Sequence, residues 1–422
     1  MLSFFVNAHP RAILVHIDFY RQDVPDFDEL RELAKTAGVE VVDYLRFQRD
    51  HIDPKFFMGE GKVTELQALL AHHDAKLVLF NHDLTPTQER NLNQRLQAQI
   101  MSRTGLILEI FSQRARTHEG QLQVELAHLD YQATRLVRGW THLERQRGGI
   151  GVRGGPGETQ LEIDKRLLRQ KMKQLKSQIE KVKSQRQLSR SSRQKSNTSS
   201  IALVGYTNAG KSTLFNQLTQ SHVYVANQLF ATLDPSLRQV IVPHYGEVVL
   251  ADTVGFIRSL PHSLVEAFKA TLEEVTAANL LIHVIDASNP DYPKQRQQVL
   301  EVLGEIGAGE QPILEVMNKI DQSAVHEPRI DYDEQGQPIR VWLSALQGTG
   351  MSQLQQAILE RLSPKLFTGV VVLPLEDAEI RSTLYHWKAV ESETVDEQGQ
   401  FHLQLCVSQA RLDRLLHRVN QV

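Results

Sequence analysis

Cysteine is nearly absent: Cys406 stands alone among 422 residues. An internal disulfide framework is excluded, and a reducing, cytoplasmic setting is expected. The chain also lacks any run of about 18 apolar residues, the length a membrane-crossing helix needs. Its first residues, Met1-Leu2-Ser3-Phe4-Phe5-Val6, are apolar, but His9-Pro10-Arg11 ends the run before a signal-peptide core could form. Net charge is low, at −3, yet it is unevenly spread. Residues 114–195 hold 19 Lys and Arg against 8 Asp and Glu, so the remainder is acidic. A locally basic segment on an acidic chain points to a polyanionic partner engaged by one part of the molecule.

What the chain does contain is five short segments in a fixed order. The first is Gly205-Tyr206-Thr207-Asn208-Ala209-Gly210-Lys211-Ser212, followed by Thr213, with the spacing G-x-x-x-x-G-K-[ST]. The apolar run Ile201–Val204 before it predicts a buried strand, and the residues after it a helix. Backbone N–H groups of such a loop curl around phosphates at the positive end of the helix dipole. Lys211 is expected at the β- and γ-phosphates, and the Ser212 hydroxyl on Mg²⁺. Asp252-Thr253-Val254-Gly255 ends a second apolar run. A carboxylate at a strand tip can hold the magnesium through water, and the Gly255 N–H can meet the γ-phosphate. Between these two segments, Phe230-Ala231-Thr232 supplies a second hydroxyl for the metal, from Thr232. The catalytic set expected is Lys211, Thr232 and Gly255, and the metal set Ser212, Thr232 and Asp252.

Base identity is carried by Asn318-Lys319-Ile320-Asp321. The Asp321 carboxylate can accept two hydrogen bonds from the guanine N1–H and N2–H₂ edge. Adenine offers no such pair, so it is heavily penalised. Asn318 ties loops together, the Lys319 stem covers the base, and Ser344-Ala345 offers backbone N–H groups to guanine O6. The substrate expected is GTP, with GDP as product. Phe256 stands where small signalling GTPases carry the glutamine that orients the attacking water. Slow hydrolysis by the chain alone is therefore expected. Asn208 is a candidate K⁺ ligand beside the phosphates.

Four domains are expected. The first, 1–112, alternates candidate strands (Ile13–Phe19, Val39–Phe47, Leu77–Phe80, Leu106–Phe111) with helices (Asp28–Ala37, Lys62–His72, Thr87–Gln97), the pattern of a small α/β domain. Gly59-Glu60-Gly61-Lys62 lacks P-loop spacing and is a loop with a helix cap. Residues 113–198 carry two apolar stripes at coiled-coil spacing: Leu122, Leu126, Leu129, Ala133, Leu136, Trp140 and Leu143, then Leu168, Met172, Leu175, Ile179 and Val182. They predict an antiparallel helical hairpin with the glycine-rich loop 148–157 at its tip, roughly 40 Å out at 1.5 Å per residue. Its second helix is densely basic, which favours nucleic acid. Ser189–Ser200 is a candidate linker. Residues 199–362 form a P-loop GTPase domain with strands expected at 201–204, 247–251, 280–285, 313–317 and 340–343. Residues 363–422 form a small α+β domain with a turn at Asp396–Gln400 between Trp387–Val390 and Phe401–Val407.

The stretch Gly148-Gly149-Ile150-Gly151-Val152-Arg153-Gly154-Gly155-Pro156-Gly157-Glu158-Thr159-Gln160-Leu161-Glu162, with Arg114–Gly120 and Asp252–Phe256, resembles the HflX family of bacterial ribosome-associated GTPases. The likeness covers nearly the whole chain. Two departures are an extra glycine in Arg153–Gly157 and Ser102 before Arg103, where aspartate is usual. The resemblance implies binding to the RNA and proteins of the large ribosomal subunit, with splitting of stalled or idle ribosomes in the GTP state. A cytoplasmic monomer, part of it at the membrane periphery, is expected. Two alternatives stand beside it. One is a GTPase of ribosome assembly or tRNA modification using the same hairpin. The other is ATP-driven RNA remodelling by the N-terminal domain, which has no second P-loop.

Overall fold

A computed structural model of the chain describes residues 10–20, 26–139, 160–195, 198–220, 228–258, 272–323, 326–363, 365–396 and 398–419. It forms two compact units. The first comprises Met1–Gln187 with Ala226–Asp234 and Ile257–Ala270, and the second Leu188–Val225, Pro235–Phe256 and Thr271–Val422.

In the first unit, β1 (Arg11–Phe19), β2 (Glu40–Arg49), β3 (Leu77–Phe80) and β4 (Gln99–Ser102) make a parallel sheet in the order β2-β1-β3-β4. β1 is buried almost throughout, as a parallel strand covered on both faces must be. The crossovers are α1 (Phe27–Thr36), α2 (Glu60–His72) and α3 (Pro86–Leu96). Local chemistry sets their starts. Asp26 caps α1, Gly59 opens α2, and Thr85 with Gln88 forms a reciprocal capping box on α3.

The expected strand Leu106–Phe111 is corrected: it lies inside α4 (Arg103–Arg114). Every residue from Arg103 to Phe111 is buried, so the run has no polar face and its period cannot separate helix from strand. The fourth strand is the four-residue segment before it. Ser102 then caps α4, its Oγ accepting from the Gly105 N–H at 3.4 Å and pairing with the Tyr131 hydroxyl at 2.9 Å. Serine does here what aspartate does as an N-cap.

α5 (His118–Gly139) and α6 (Gln160–Lys195) pack through the two stripes. Leu122, Leu129 and Leu175 are buried, with Leu126, Leu168, Met172 and Ile179 around them. Lys171 pairs with Glu125 at 2.7 Å. The tip loop 148–157, Trp140 and Leu143 lie outside the described residues. The candidate linker Ser189–Ser200 is corrected too: α6 continues to Lys195 and the next strand begins at Ser199, because Arg, Gln and Lys sustain a helix that serines alone would weaken.

The second unit holds a seven-stranded sheet: β5 (Ser199–Gly205), β6 (Ser236–Val242), β7 (Gly246–Asp252), β8 (Leu280–Asp286), β9 (Ile313–Asn318), β10 (Arg329–Tyr332) and β11 (Pro338–Trp342). Its order is β10-β11-β9-β8-β5-β7-β6, with the edge strands β6 and β10 antiparallel to their neighbours. α7 (Lys211–Thr219) and the helices Tyr292–Glu305 and Met351–Leu362 accompany it. Leu203, Leu250, Ile282, Val316 and Phe215 belong to one continuous core. This places the ends of β5, β7, β8 and β9 along one edge of the sheet, where open α/β sheets bind ligands.

A three-stranded antiparallel sheet follows, of β12 (Leu366–Leu373), β13 (Val390–Val395) and β14 (Phe401–Ser408), with helices Ala378–His386 and Gln409–Val419. The expected strand Trp387–Val390 is corrected. Trp387 closes a helix, its N–H donating to the Thr383 carbonyl, and Lys388, whose N–H donates to the Tyr385 carbonyl, turns the chain at φ 53° before β13 starts. The turn at Asp396–Gln400 is present: Asp396 accepts from the Gln398 and Gln400 N–H groups. Among the described residues no helix is long and apolar enough to cross a membrane.

Candidate nucleotide-binding site

β5 delivers its last residue, Gly205, into the loop, and α7 begins at Lys211. Gly205 has φ 148°, and a Cβ there would stand 2.2 Å from the Val284 carbonyl oxygen on β8. Only glycine fits. Asn208 (φ 61°) and Gly210 (φ 95°) complete the left-handed turns that curl the loop. Lys211 is buried, and its ammonium donates to the Gly205 and Tyr206 carbonyls at 3.0 and 2.7 Å. Burial lowers its pKa to about 8, against a smaller raising effect from Asp252. The ammonium is thus held by two carbonyls of its own loop.

At the end of β7, Asp252 is fully buried and accepts from the Ser212 hydroxyl at 2.8 Å. Thr253 anchors the strand end through its hydroxyl to the Leu203 carbonyl at 2.6 Å. Val254 is buried next to it. Gly255 lies so close to the loop that a Cβ would stand 2.9 Å from Thr207 Cα and 3.0 Å from Lys211 Nζ. The backbone of Phe256 zips onto the same loop: its N–H donates to Gly205 O at 3.1 Å, and its carbonyl accepts from the Thr207 N–H at 2.7 Å. The phenylalanine ring is buried and carries no polar group toward a reacting water.

The base-side loops converge on Asn318, at the end of β9. Its Nδ2 donates to the Ala209 carbonyl at 2.8 Å, and its Oδ1 accepts from the Ala345 N–H at 2.9 Å. One side chain thus joins three of the segments. Lys319 adopts φ 63°, and its ammonium pairs with Asp286 at 2.6 Å. Asp321 lies on the turn Ile320–Gln322, half-buried and without a hydrogen-bond partner among the described residues. Ser344 and Ala345 are fully buried, with Ser344 bridged to Thr349.

The second unit therefore gathers Gly205–Thr213, Asp252–Phe256, Asn318–Asp321 and Ser344–Ala345 at one sheet edge. Phe230, Ala231 and Thr232 belong instead to the first unit. Asp286 escaped the sequence reading. It accepts from the Ser288 N–H and hydroxyl as well as from Lys319, so it holds the stem expected over the base. Its position at the end of β8, the strand between β5 and β9, was the available signal.

Residues 200–319 match a family described as 50S ribosome-binding GTPase. Residues 25–112 and 114–193 match the GTP-binding GTPase N-terminal and GTP-binding GTPase Middle Region families. Together with the loop geometry these matches make the protein a P-loop GTPase, an enzyme that hydrolyses GTP to GDP and phosphate. The chain is 53% identical to GTPase HflX of Escherichia coli (strain K12) over 94% of this chain and 94% of that one. It is 47% identical to GTPase HflX of Magnetococcus marinus over 83% and 81% of the two chains. The chain belongs to the HflX family of GTPases. Among solved structures, it is similar to a GTP-binding protein from the hyperthermophilic archaeon Sulfolobus solfataricus in complex with GDP. That likeness has 24% identity and TM-score 0.44 over 83% of this chain and 98% of the other.

Proposed function

We propose that this GTPase binds the large ribosomal subunit and, in its GTP state, splits stalled or idle ribosomes. Hydrolysis then ends the bound state. The observation that carries the reading is the joining of a nucleotide site to a strongly cationic helix. Over Lys165–Lys183 of α6, Lys165, Arg166, Arg169, Lys171, Lys173 and Lys176 stand in a stretch whose one acid is Glu180. Phosphates of ribosomal RNA neutralise such a surface and make binding salt-dependent. The description 50S ribosome-binding GTPase, which belongs to the family matched by residues 200–319, points the same way.

In this reading Lys211, Thr232 and Gly255 act on the γ-phosphate, and Ser212, Thr232 and Asp252 hold Mg²⁺. The donors fit that ion: hydroxyl and carboxylate oxygens are the ligands a hard cation takes, and Ser212 Oγ and Asp252 Oδ2 already lie 2.8 Å apart. A magnesium ion held by these oxygens would supply positive charge to offset the negative charge that develops on the phosphates. Gly205–Thr213 cradle the phosphates. Asn318, Lys319, Asp321, Ser344 and Ala345 select guanine. Phe256 supplies no water-orienting group, so the ribosome must order the site. Asn208 is the K⁺ ligand in the same scheme, and equal hydrolysis rates in K⁺ and Na⁺ buffers would remove it.

The direct test is light scattering from intact ribosomes mixed with the full chain. Dissociation with a non-hydrolysable GTP analogue, and none with GDP, is expected. Equal scattering with both nucleotides would overturn the proposal.

A further inference from the structure

The segment Gln228–Asp234, which carries Thr232, is held at several points inside the first unit. The Leu229 N–H donates to the Thr36 hydroxyl, at the end of α1, across 3.2 Å. Arg114, at the end of α4, donates to the Gln228 side-chain carbonyl. Phe230 is 2% exposed and meets Phe111 edge-on, with ring centroids 4.7 Å apart. Its backbone sits at φ 54°, a region phenylalanine occupies only where its surroundings compensate.

Asp234 makes the most specific of these contacts. One carboxylate oxygen accepts from the N–H groups of Arg116 and Thr117, both at 2.9 Å, and the other from the Thr117 hydroxyl. Thr117 Oγ1 in turn accepts from the Gly120 N–H at 3.0 Å, which makes Thr117 the cap of α5. A Cβ at Gly120 would stand 2.2 Å from Asp234 Oδ1. The carboxylate thus occupies a cradle that glycine alone leaves open, at the root of the basic hairpin.

We propose that Asp234 is a positioning residue that couples the bound nucleotide to the first helix of the hairpin. The proposal rests on the reading of Thr232 as the residue that answers to the γ-phosphate and its metal. Thr232 is two residues from Asp234, at most roughly 7 Å of extended chain. A Thr232 hydroxyl drawn to its ligand pulls on Asp234 and on the α5 cap it completes. Loss of the γ-phosphate lets the carboxylate settle back on Thr117. Linkage makes the effect reciprocal: whatever displaces the root of α5 shifts the preference between GTP and GDP.

Amide hydrogen exchange on the full-length protein tests this, with Mg²⁺ and either GDP or a non-hydrolysable GTP analogue. Residues 115–122 are expected to exchange at rates differing on the order of tenfold between the two nucleotides. Asp234→Ala and Gly120→Ala should abolish that difference and leave GDP affinity unchanged, whereas Thr117→Ser should retain it. Gly120→Ala removes no hydrogen-bonding group, so it carries the test if Asp234→Ala folds poorly. If 228–234 respond to the nucleotide and 115–122 do not, the coupling is wrong and the Thr232 reading stands. If neither segment responds, the Thr232 reading fails as well. A response of 115–122 that persists in both alanine variants would also overturn the role of Asp234.

Discussion

The Ser212 hydroxyl donates to the Asp252 carboxylate at 2.8 Å, linking the first turn of α7 to the end of β7. Two oxygens from separate segments are thereby preset as neighbours. Ser212→Ala is expected to lower Mg²⁺-dependent GTP hydrolysis by about ten- to a hundredfold, because a charge-bearing site loses one of its few fixed donors. Titrating Mg²⁺ in a steady-state phosphate-release assay measures it. An unchanged magnesium requirement would contradict the assignment.

Asp321 is the residue proposed above to pair with the guanine edge. Asp321→Asn should weaken GDP binding by about a hundredfold or more and create binding of xanthine nucleotides, whose edge matches an amide. Fluorescence titration with labelled GDP and XDP checks both halves. Retained guanine preference would place the base elsewhere.

Lys211 gives the site a pH signature. Burial holds its pKa at about 8, below the ordinary 10.5. Between those values the unfolded chain holds a proton that the folded chain does not, so stability rises with pH across this window. Phosphates restore the charged form, so nucleotide binding takes up a proton above pH 8. GDP affinity should then fall by up to about tenfold per pH unit above 8. Calorimetry in buffers of different ionisation heat detects the uptake, and a flat affinity from pH 7 to about 9.5 would refute it.

His283, on β8, is fully buried, and desolvation lowers its pKa to about 4. The unfolded chain protonates near 6.5 and the fold does not, so this histidine's contribution to stability is lost as pH falls from 6.5 toward 4. His283→Leu should flatten the pH dependence of Tm in that window. Nδ1 of His283 makes no hydrogen bond in the described structure, so the replacement strands no partner of that nitrogen. An unaltered acid limb would assign the loss to other groups.

What the sequence disclosed, and what it hid, follows from distance along the chain. Gly205, Asn318 and Ser344 announce themselves because each sits in a short segment whose neighbours form the same turn. The stripes Leu122–Leu129 and Leu168–Ile179 were legible because each has one buried face. Leu106–Phe111 was not, since burial on all sides erases its period. The roles of Asp286, whose one clue was its place at a strand end, and of Asp234 were hidden for another reason. Their partners, Lys319 and Thr117, are far off in sequence, and a carboxylate beside a strand end or in a loop looks the same whether it is solvated or capping a helix.

The central claim is that this GTPase, with Phe256 where a water-orienting group would stand, depends on the large ribosomal subunit for turnover. Steady-state GTP hydrolysis with and without purified large subunits, at fixed low salt, tests it most directly. The account predicts slow turnover alone and stimulation of at least about tenfold by the subunit, fading as salt rises. Fast hydrolysis by the protein alone, or no response to the subunit, would contradict it.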